Sequence, residues 1–475
     1  MPSLLLRLSA PLLALGLSAC DDASRFTRAE PGEARSAGAA TVYKFDQNAF
    51  SQPSANLSPI RRLDFSVGNS FFHNPWVIAP ATTTARDGLG PLFNTNACQN
   101  CHVRDGRGHP PAPDAVSAVS MLVRLSIPND PAYAKVIEQQ GVVPEPVYGA
   151  QLQDMAVPGV APEGKVRVDY EPQIVRFKDG TEVELRKPTL VLTQLGYGPM
   201  HPDTRFSARI APPMIGLGLL ESISEADILA NADPQDKDRN GIKGRPNMVW
   251  DDAQQKTVLG RFGWKAGQPN LNQQNVHAFS GDMGLTTSLR PFDDCTEAQV
   301  DCRQAPNGNG PNGEPEVSDN ILRLMLIYAR NLAVPARRDV DAPQVLAGKT
   351  LFFQAGCQSC HTPKFTTSAE AVEPELADLE IRPYTDLLLH DMGEGLADNR
   401  SEYLASGRDW RTPPLWGIGL TQTVSGHTQF LHDGRARNLL EAVLWHGGEA
   451  QQAQQQVLSF NAEQRAALLA FLNSL

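Results

Sequence analysis

Cys98-Gln99-Asn100-Cys101-His102 and Cys357-Gln358-Ser359-Cys360-His361 decide how this chain is read. Both are C-x-x-C-H, the spacing at which two thiols form thioethers to the vinyl groups of a porphyrin and the next imidazole reaches its iron. Two copies assign Cys98, Cys101, Cys357 and Cys360 to two covalently attached c-type haems, with His102 and His361 as proximal iron ligands. Zinc ribbons also use C-x-x-C pairs, but these two pairs lie far apart in the chain. A thioredoxin-like redox pair does not call for His at the fifth position twice. Cys295 and Cys302, close together in a stretch rich in Gly, Pro and Asn, are expected to close a surface loop as a disulfide.

The remaining cysteine, Cys20, ends an N-terminal segment that runs apolar from Leu4 to Leu17, broken only by Arg7, and closes on Leu17-Ser18-Ala19-Cys20. The run is too short to count as a spanning helix and has the form of a secretory signal. Its end resembles the bacterial lipobox, in which the cysteine is acylated and becomes the new N-terminus. Residues 1–19 therefore read as a lipoprotein signal peptide and 20–60 as a small, polar tether. The expected location is the periplasm, lipid-anchored to a bacterial membrane through Cys20.

A length of 475 residues implies more than one core. With 41% hydrophobic residues the chain is not disordered, and 38 Gly with 37 Pro point to a loop-rich fold. Lys and Arg total 42 against 53 Asp and Glu, a net charge of −11 with no basic block, which excludes a nucleic-acid binder.

Landmarks after the two motifs recur in one order. Arg245-Pro-Asn-Met-Val-Trp250 matches Arg411-Thr-Pro-Pro-Leu-Trp416, and Phe262 with Asn270-Leu271 matches Phe430 with Asn438-Leu439, Trp264 standing where the second half has His432. Upstream, Gly90-Pro-Leu-Phe93 reads as the counterpart of Gly348-Lys-Thr-Leu-Phe352. An internal repeat of this kind predicts two cytochrome c-like haem domains, residues 61–340 and 341–475. The path from His102 to Arg245 is much longer than that from His361 to Arg411, which places a large insertion at about 105–235. Within it Val166–Tyr170 and Glu182–Arg186 alternate around Lys178-Asp179-Gly180, a hairpin signal. Helices are predicted over Ser318–Leu332, Pro343–Phe353 and Ala462–Leu475. The fold class is thus mainly α and loop-rich, with one small sheet in the insertion. Asp236-Lys-Asp238-Arg-Asn240-Gly241 fits the start of an oxygen-ligand calcium loop, although Asn247 stands where an EF-hand has Glu; a calcium site and an Asx-rich turn both stay open.

The two motifs, with Phe430-Leu431-His432-Asp433-Gly434-Arg435-Ala436, resemble the bacterial di-haem cytochrome c peroxidase family. Asp386-Leu-Leu-Leu-His390-Asp-Met-Gly393 is similar to the family's segment after its second haem, while Leu444-Trp-His-Gly-Gly-Glu-Ala450 and Gly216-Leu-Gly-Leu-Leu-Glu221 resemble the di-haem oxidoreductase branch, often labelled thiol oxidoreductases. That label finds no support here, since no free cysteine pair is left over. The resemblance implies a reactive N-terminal haem and a second, electron-storing haem, with Trp264 as a relay between them; an ordinary core role for Trp264 is the alternative. Gly281-Asp282-Met283-Gly284 matches the family's distal-acid stretch and nominates Asp282 as proton shuttle. Met283 could instead ligate the first iron and close the site. Leu431 replaces the family's axial Met and carries no donor, so His427 is nominated as distal ligand of the second haem, with His432, His446 and Met392 also open. The expected activity is peroxidase-like, on peroxide or another substrate, fed by a small cytochrome c or cupredoxin. A non-catalytic electron-transfer cytochrome and a haem oxygenase acting on an organic substrate are the rival expectations.

Overall fold

Each C-x-x-C-H motif follows a helix that packs against a later one, and the two pairs are built alike in the structure, a computed structural model that describes residues 26–475. In the first half helix Pro59–His73 crosses helix Asp319–Arg330; in the second, Pro343–Gln354 crosses Ala462–Ser474. Each earlier helix begins with Pro in its first turn, where the missing N–H costs no bond. Two of the three predicted helices hold nearly as read, at Asp319–Arg330 and Pro343–Gln354, and the third ends at Ser474.

The crossings are set by glycine. A Cβ on Gly68 would collide with the backbone of Leu324, and one on Gly348 with the backbone of Ala467. Four residues on from each glycine stands a phenylalanine, Phe72 or Phe352, whose ring centroid lies 5.1 Å from that of Tyr328 or Phe471. The same rings lie 6.1 Å from His102 and 6.3 Å from His361. The counterpart of Gly348 is therefore Gly68 and not Gly90. Gly90-Pro91 instead leads into the short strand Leu92–Phe93, which pairs with Met155–Ala156.

The downstream repeat is equally regular. Asn270 and Asn438 each cap a helix, Leu271–Met283 and Leu439–Leu444, by accepting a backbone N–H three residues on. Phe262 bridges Gln268 as Phe430 bridges Ala436, and Arg245 and Arg411 pair with Leu389.

About 30% of the chain is helix and 18% strand, in keeping with a mainly helical, loop-rich fold. The strand is not one small sheet: among the described residues it forms six two-stranded sheets. The insertion holds two of them. Met121–Ser126 pairs with Arg205–Ile210, and the hairpin Lys165–Arg176 with Glu182–Thr193 extends well past the predicted strands, turning at Lys178-Asp179-Gly180. This hairpin lies on the second half. Lys178 N–H donates to the Leu458 carbonyl at 3.0 Å, Asp179 pairs with Arg465 at 2.7 Å, and Arg186 donates to the Arg435 and Gly434 carbonyls.

The tether expected over 20–60 does not hold from Phe26 on. Glu33 is 2% exposed and pairs with Arg337 and Lys349, Phe26 packs on Phe353, and Ala37, Ala40 and Phe50 are buried in a core cluster. Small polar composition concealed a segment that two buried cations hold in place. The signal peptide and Cys20 lie outside the described residues. No helix among the described residues is long and apolar enough to cross a membrane.

Candidate functional site

Beside the first motif lies a cavity of about 760 Å³. Cys98 opens a single helical turn, Cys98–Cys101, so both thiols and the following His102 face the same space, walled on one side by Phe72, Met214 and Met325. Neither Cys98 with Cys101 nor Cys357 with Cys360 is disulfide-bonded. Burial pushes the Cys98 and Cys357 thiols up to about 12 and raises Cys101 and Cys360 as well. A redox-active C-x-x-C pair needs the opposite shift, because the thiolate is the reacting form.

His102 donates from Nδ1 to the Pro212 carbonyl at 2.8 Å, and His361 from Nδ1 to the Tyr384 carbonyl at 2.9 Å. The acceptor in each case is a carbonyl, so the proton sits on Nδ1 and the lone pair on Nε2. Burial takes both imidazoles down to about 4, leaving them neutral near pH 7. A neutral imidazole whose other nitrogen is tied to a main-chain carbonyl is the usual state of a metal-ligating histidine.

The polar wall carries unmatched positive charge. Arg107 is 7% exposed, its Nε has no hydrogen-bond partner, and burial lowers the guanidinium to about 10. Its guanidinium carbon lies 5.9 Å from the Trp264 ring and 5.6 Å from Phe430. A buried cation with an orphaned donor calls for an anion. Two thiols, an imidazole Nε2, an apolar wall and an unpaired guanidinium fit a haem, which is an apolar macrocycle bearing two carboxylates.

Asp282, in the last turn of helix Leu271–Met283, lines the cavity wall, its Oδ1 accepting from Gln151 at 2.9 Å. Burial raises its carboxyl above the usual range, against the pull of Arg124 and of the Gln151 hydrogen bond. Met283 also lines the cavity, at 1% exposure in the core beneath it. Trp264 is buried, with its indole N–H donated to the Ile210 carbonyl at 2.9 Å. Also lining the cavity is a charge cluster that sequence reading missed, because Arg124 and Arg209 come from segments far from Arg400 and Glu402. Glu402 pairs with Arg209 at 2.8 Å and Arg400 at 2.9 Å; burial works to raise its carboxyl, yet Arg209, Arg400 and Arg124 hold it at about 2.

The nominated His427 lies away from the second motif. Its Nε2 is hydrogen-bonded to the Arg107 carbonyl at 3.0 Å and its ring packs edge-on against His109, beside the first half. His432 stacks on Trp410 with centroids 3.6 Å apart. His390, enclosed near Cys360, is bonded on both nitrogens, to Asp386 and to Glu449, each at 2.8 Å. Leu431 packs on the core without a donor. His446 is left with Nδ1 bound to the Ala442 carbonyl at 2.8 Å.

Cys295 and Cys302 are bonded, their Cα atoms 5.9 Å apart, and Cys295 joins the cavity lining. In the loop of Asp236, Asp238 and Asn240, carboxylate oxygens of Asp236 and Asp238 come within 4.8 Å of each other and of Asp233, which the motif did not include. Asn240 instead donates to Asp238 at 2.8 Å and accepts from Ile242 N–H at 2.7 Å, while Asp236 accepts from Gly241 N–H. Those bonds are the bonds of an Asx-rich turn.

A family model described as "Di-haem oxidoreductase, putative peroxidase" matches residues 32–475. No curated protein matches. A solved structure of hydrazine synthase from Kuenenia stuttgartiensis aligns over 34% of this chain and 57% of that one, at 16% identity and a TM-score of 0.23, too loose a likeness to define a fold. Spanning nearly all the described residues, the family match settles descent: the chain belongs to the di-haem oxidoreductase family.

Proposed function

We propose that this protein is an exported di-haem c-type oxidoreductase of peroxidase type, with one haem held by Cys98, Cys101 and His102 and the other by Cys357, Cys360 and His361. Haem iron would supply the redox chemistry, reduction of peroxide or oxidation of a substrate. The observation that carries the reading is the asymmetry between the motifs. The first opens on a large cavity whose wall presents Asp282, a carboxyl that burial keeps prone to protonation; the second packs into a core of Phe352, Tyr384, Phe471 and Trp445.

In this reading Asp282 holds a proton on the cavity wall for transfer to a leaving oxygen, which is general acid work. Arg107 neutralises carboxylate charge at the cavity edge. Glu402, held ionised by Arg209, Arg400 and Arg124, keeps its part of the cavity polar. Trp264, buried between the cavity and the second half, carries electrons inward. A small cytochrome c or cupredoxin would deliver them, and acylation at Cys20 would tether the protein to a bacterial membrane in the periplasm.

The test is reaction of the reduced, haem-loaded protein with hydrogen peroxide in a stopped-flow spectrometer. Rapid oxidation of both haems that collapses in Asp282→Asn supports the reading. No reaction with peroxide, with both irons six-coordinate and low-spin in each redox state, favours the electron-transfer cytochrome, for which Met283 on the cavity wall would be the closing ligand.

A further inference from the structure

We propose that His446 is the distal axial ligand of the haem at Cys357 and Cys360, opposite His361, so that this iron has two imidazole ligands. The inference rests on the di-haem reading above and adds the ligand that reading lacks.

His446 donates from Nδ1 to the Ala442 carbonyl at 2.8 Å, one helical turn back. That bond fixes the ring and its tautomer and leaves the Nε2 lone pair free. His102 and His361 are held in the same way, each by a main-chain carbonyl. Orientation by a second hydrogen bond is how proteins aim a ligating histidine. The neighbouring Trp445 belongs to the same core cluster as Phe352, Tyr384 and Phe471, on which Cys357 packs. The turn that carries His446 reaches the second motif through Glu449, which binds His390 at 2.8 Å, and the same His390 nitrogen lies 3.6 Å from Cys360 Sγ. Neither His361 nor His446 is fully buried.

The turn that carries His446 is anchored. Glu449 accepts from Asp391 N–H at 3.1 Å and binds His390 at 2.8 Å, and Ala450 N–H donates to the Gly447 carbonyl at 3.0 Å. The other candidates are engaged elsewhere: His390 on both nitrogens, His432 against Trp410, and His427 at the Arg107 carbonyl. Met392 is the remaining donor packed on this cluster, and a thioether and an imidazole are separable by spectroscopy.

The experiment uses the holoprotein, its haem content checked by intact mass, with His446→Ala, His446→Met and Met392→Leu. Ferric electron paramagnetic resonance and potentiometric titration are the readouts. The wild type is expected to show a low-spin signal of bis-imidazole type and no thioether-to-iron charge-transfer band. His446→Ala should convert that signal to high spin, and added imidazole should restore it. His446→Met should raise the potential of one haem, since His/Met ligation favours the reduced state. Met392→Leu should leave all of this in place. A low-spin signal that survives His446→Ala with both haems present, or a thioether band lost in Met392→Leu, overturns the assignment alone. A protein that matures without bound haem overturns the reading beneath it.

Discussion

Gly348 packs directly on the backbone of Ala467, so that the helix leading into the second motif and the C-terminal helix touch main chain to main chain. Gly68 and Leu324 repeat the contact in the first half. Neither site yields to a small adjustment, because backbone rather than a flexible side-chain tip is what a methyl would meet. Gly348→Ala should destabilise the protein by about 3 kcal/mol, the upper end for overpacking a close contact. Chemical denaturation of the holoprotein reads this directly; an unchanged midpoint would mean that the crossing is looser than described.

At the cavity wall, Asp282→Asn removes the titrating proton and keeps the shape. Peroxide turnover should fall roughly 100-fold, in the range that positioned acid–base groups contribute. Asp282→Glu, with the same chemistry and one more methylene, should retain most of the rate. Equal loss in both variants would indicate a packing role.

Trp264→Phe deletes the indole N–H and orphans the buried Ile210 carbonyl, at a cost of about 1 kcal/mol. Electron passage from the second haem to the first should slow while both haem spectra stay unchanged. Rapid-mixing traces identical to wild type would reduce Trp264 to a core residue.

Glu402 gives the acid limit. Its carboxyl lies near 2 when folded, against about 4.3 in an unfolded chain. A depressed pKa stabilises the fold at pH values above the unfolded one, and that contribution fades as pH drops toward 2. It is worth on the order of 3 kcal/mol. Glu402→Gln should therefore destabilise the protein at pH 7 and flatten its loss of stability between about pH 4.3 and 2. Parallel denaturation curves for variant and wild type across that window would contradict the assignment.

Local signals were the legible ones. The two C-x-x-C-H motifs, the 178–180 hairpin turn and the helix near 319–330 each declare themselves within a few residues. The Gly68/Gly348 equivalence was hidden because the first helix stands farther from its motif than the second does, and a Gly-Pro-Leu-Phe run nearer the motif mimicked it. His427 looked the better ligand because it lies close in sequence to Leu431, but a single turn at Gly426 carries it toward Arg107. His446 depends on how the Leu439–Leu444 helix returns to the core, and Glu402, two residues from Arg400, meets Arg209 only across the fold. No spacing encodes such encounters. Nothing in the sequence marks Arg107 as unpaired.

The central claim is that this chain binds two haems through thioethers, and the most direct measurement is the intact mass of the protein matured with its own export and haem-attachment machinery, read beside its denatured haem spectrum. The account predicts a mass above the processed chain by two haems, falling to one when either Cys98 with Cys101 or Cys357 with Cys360 is replaced by alanine. A mass equal to the bare processed chain, with no haem absorption retained after denaturation, would contradict it.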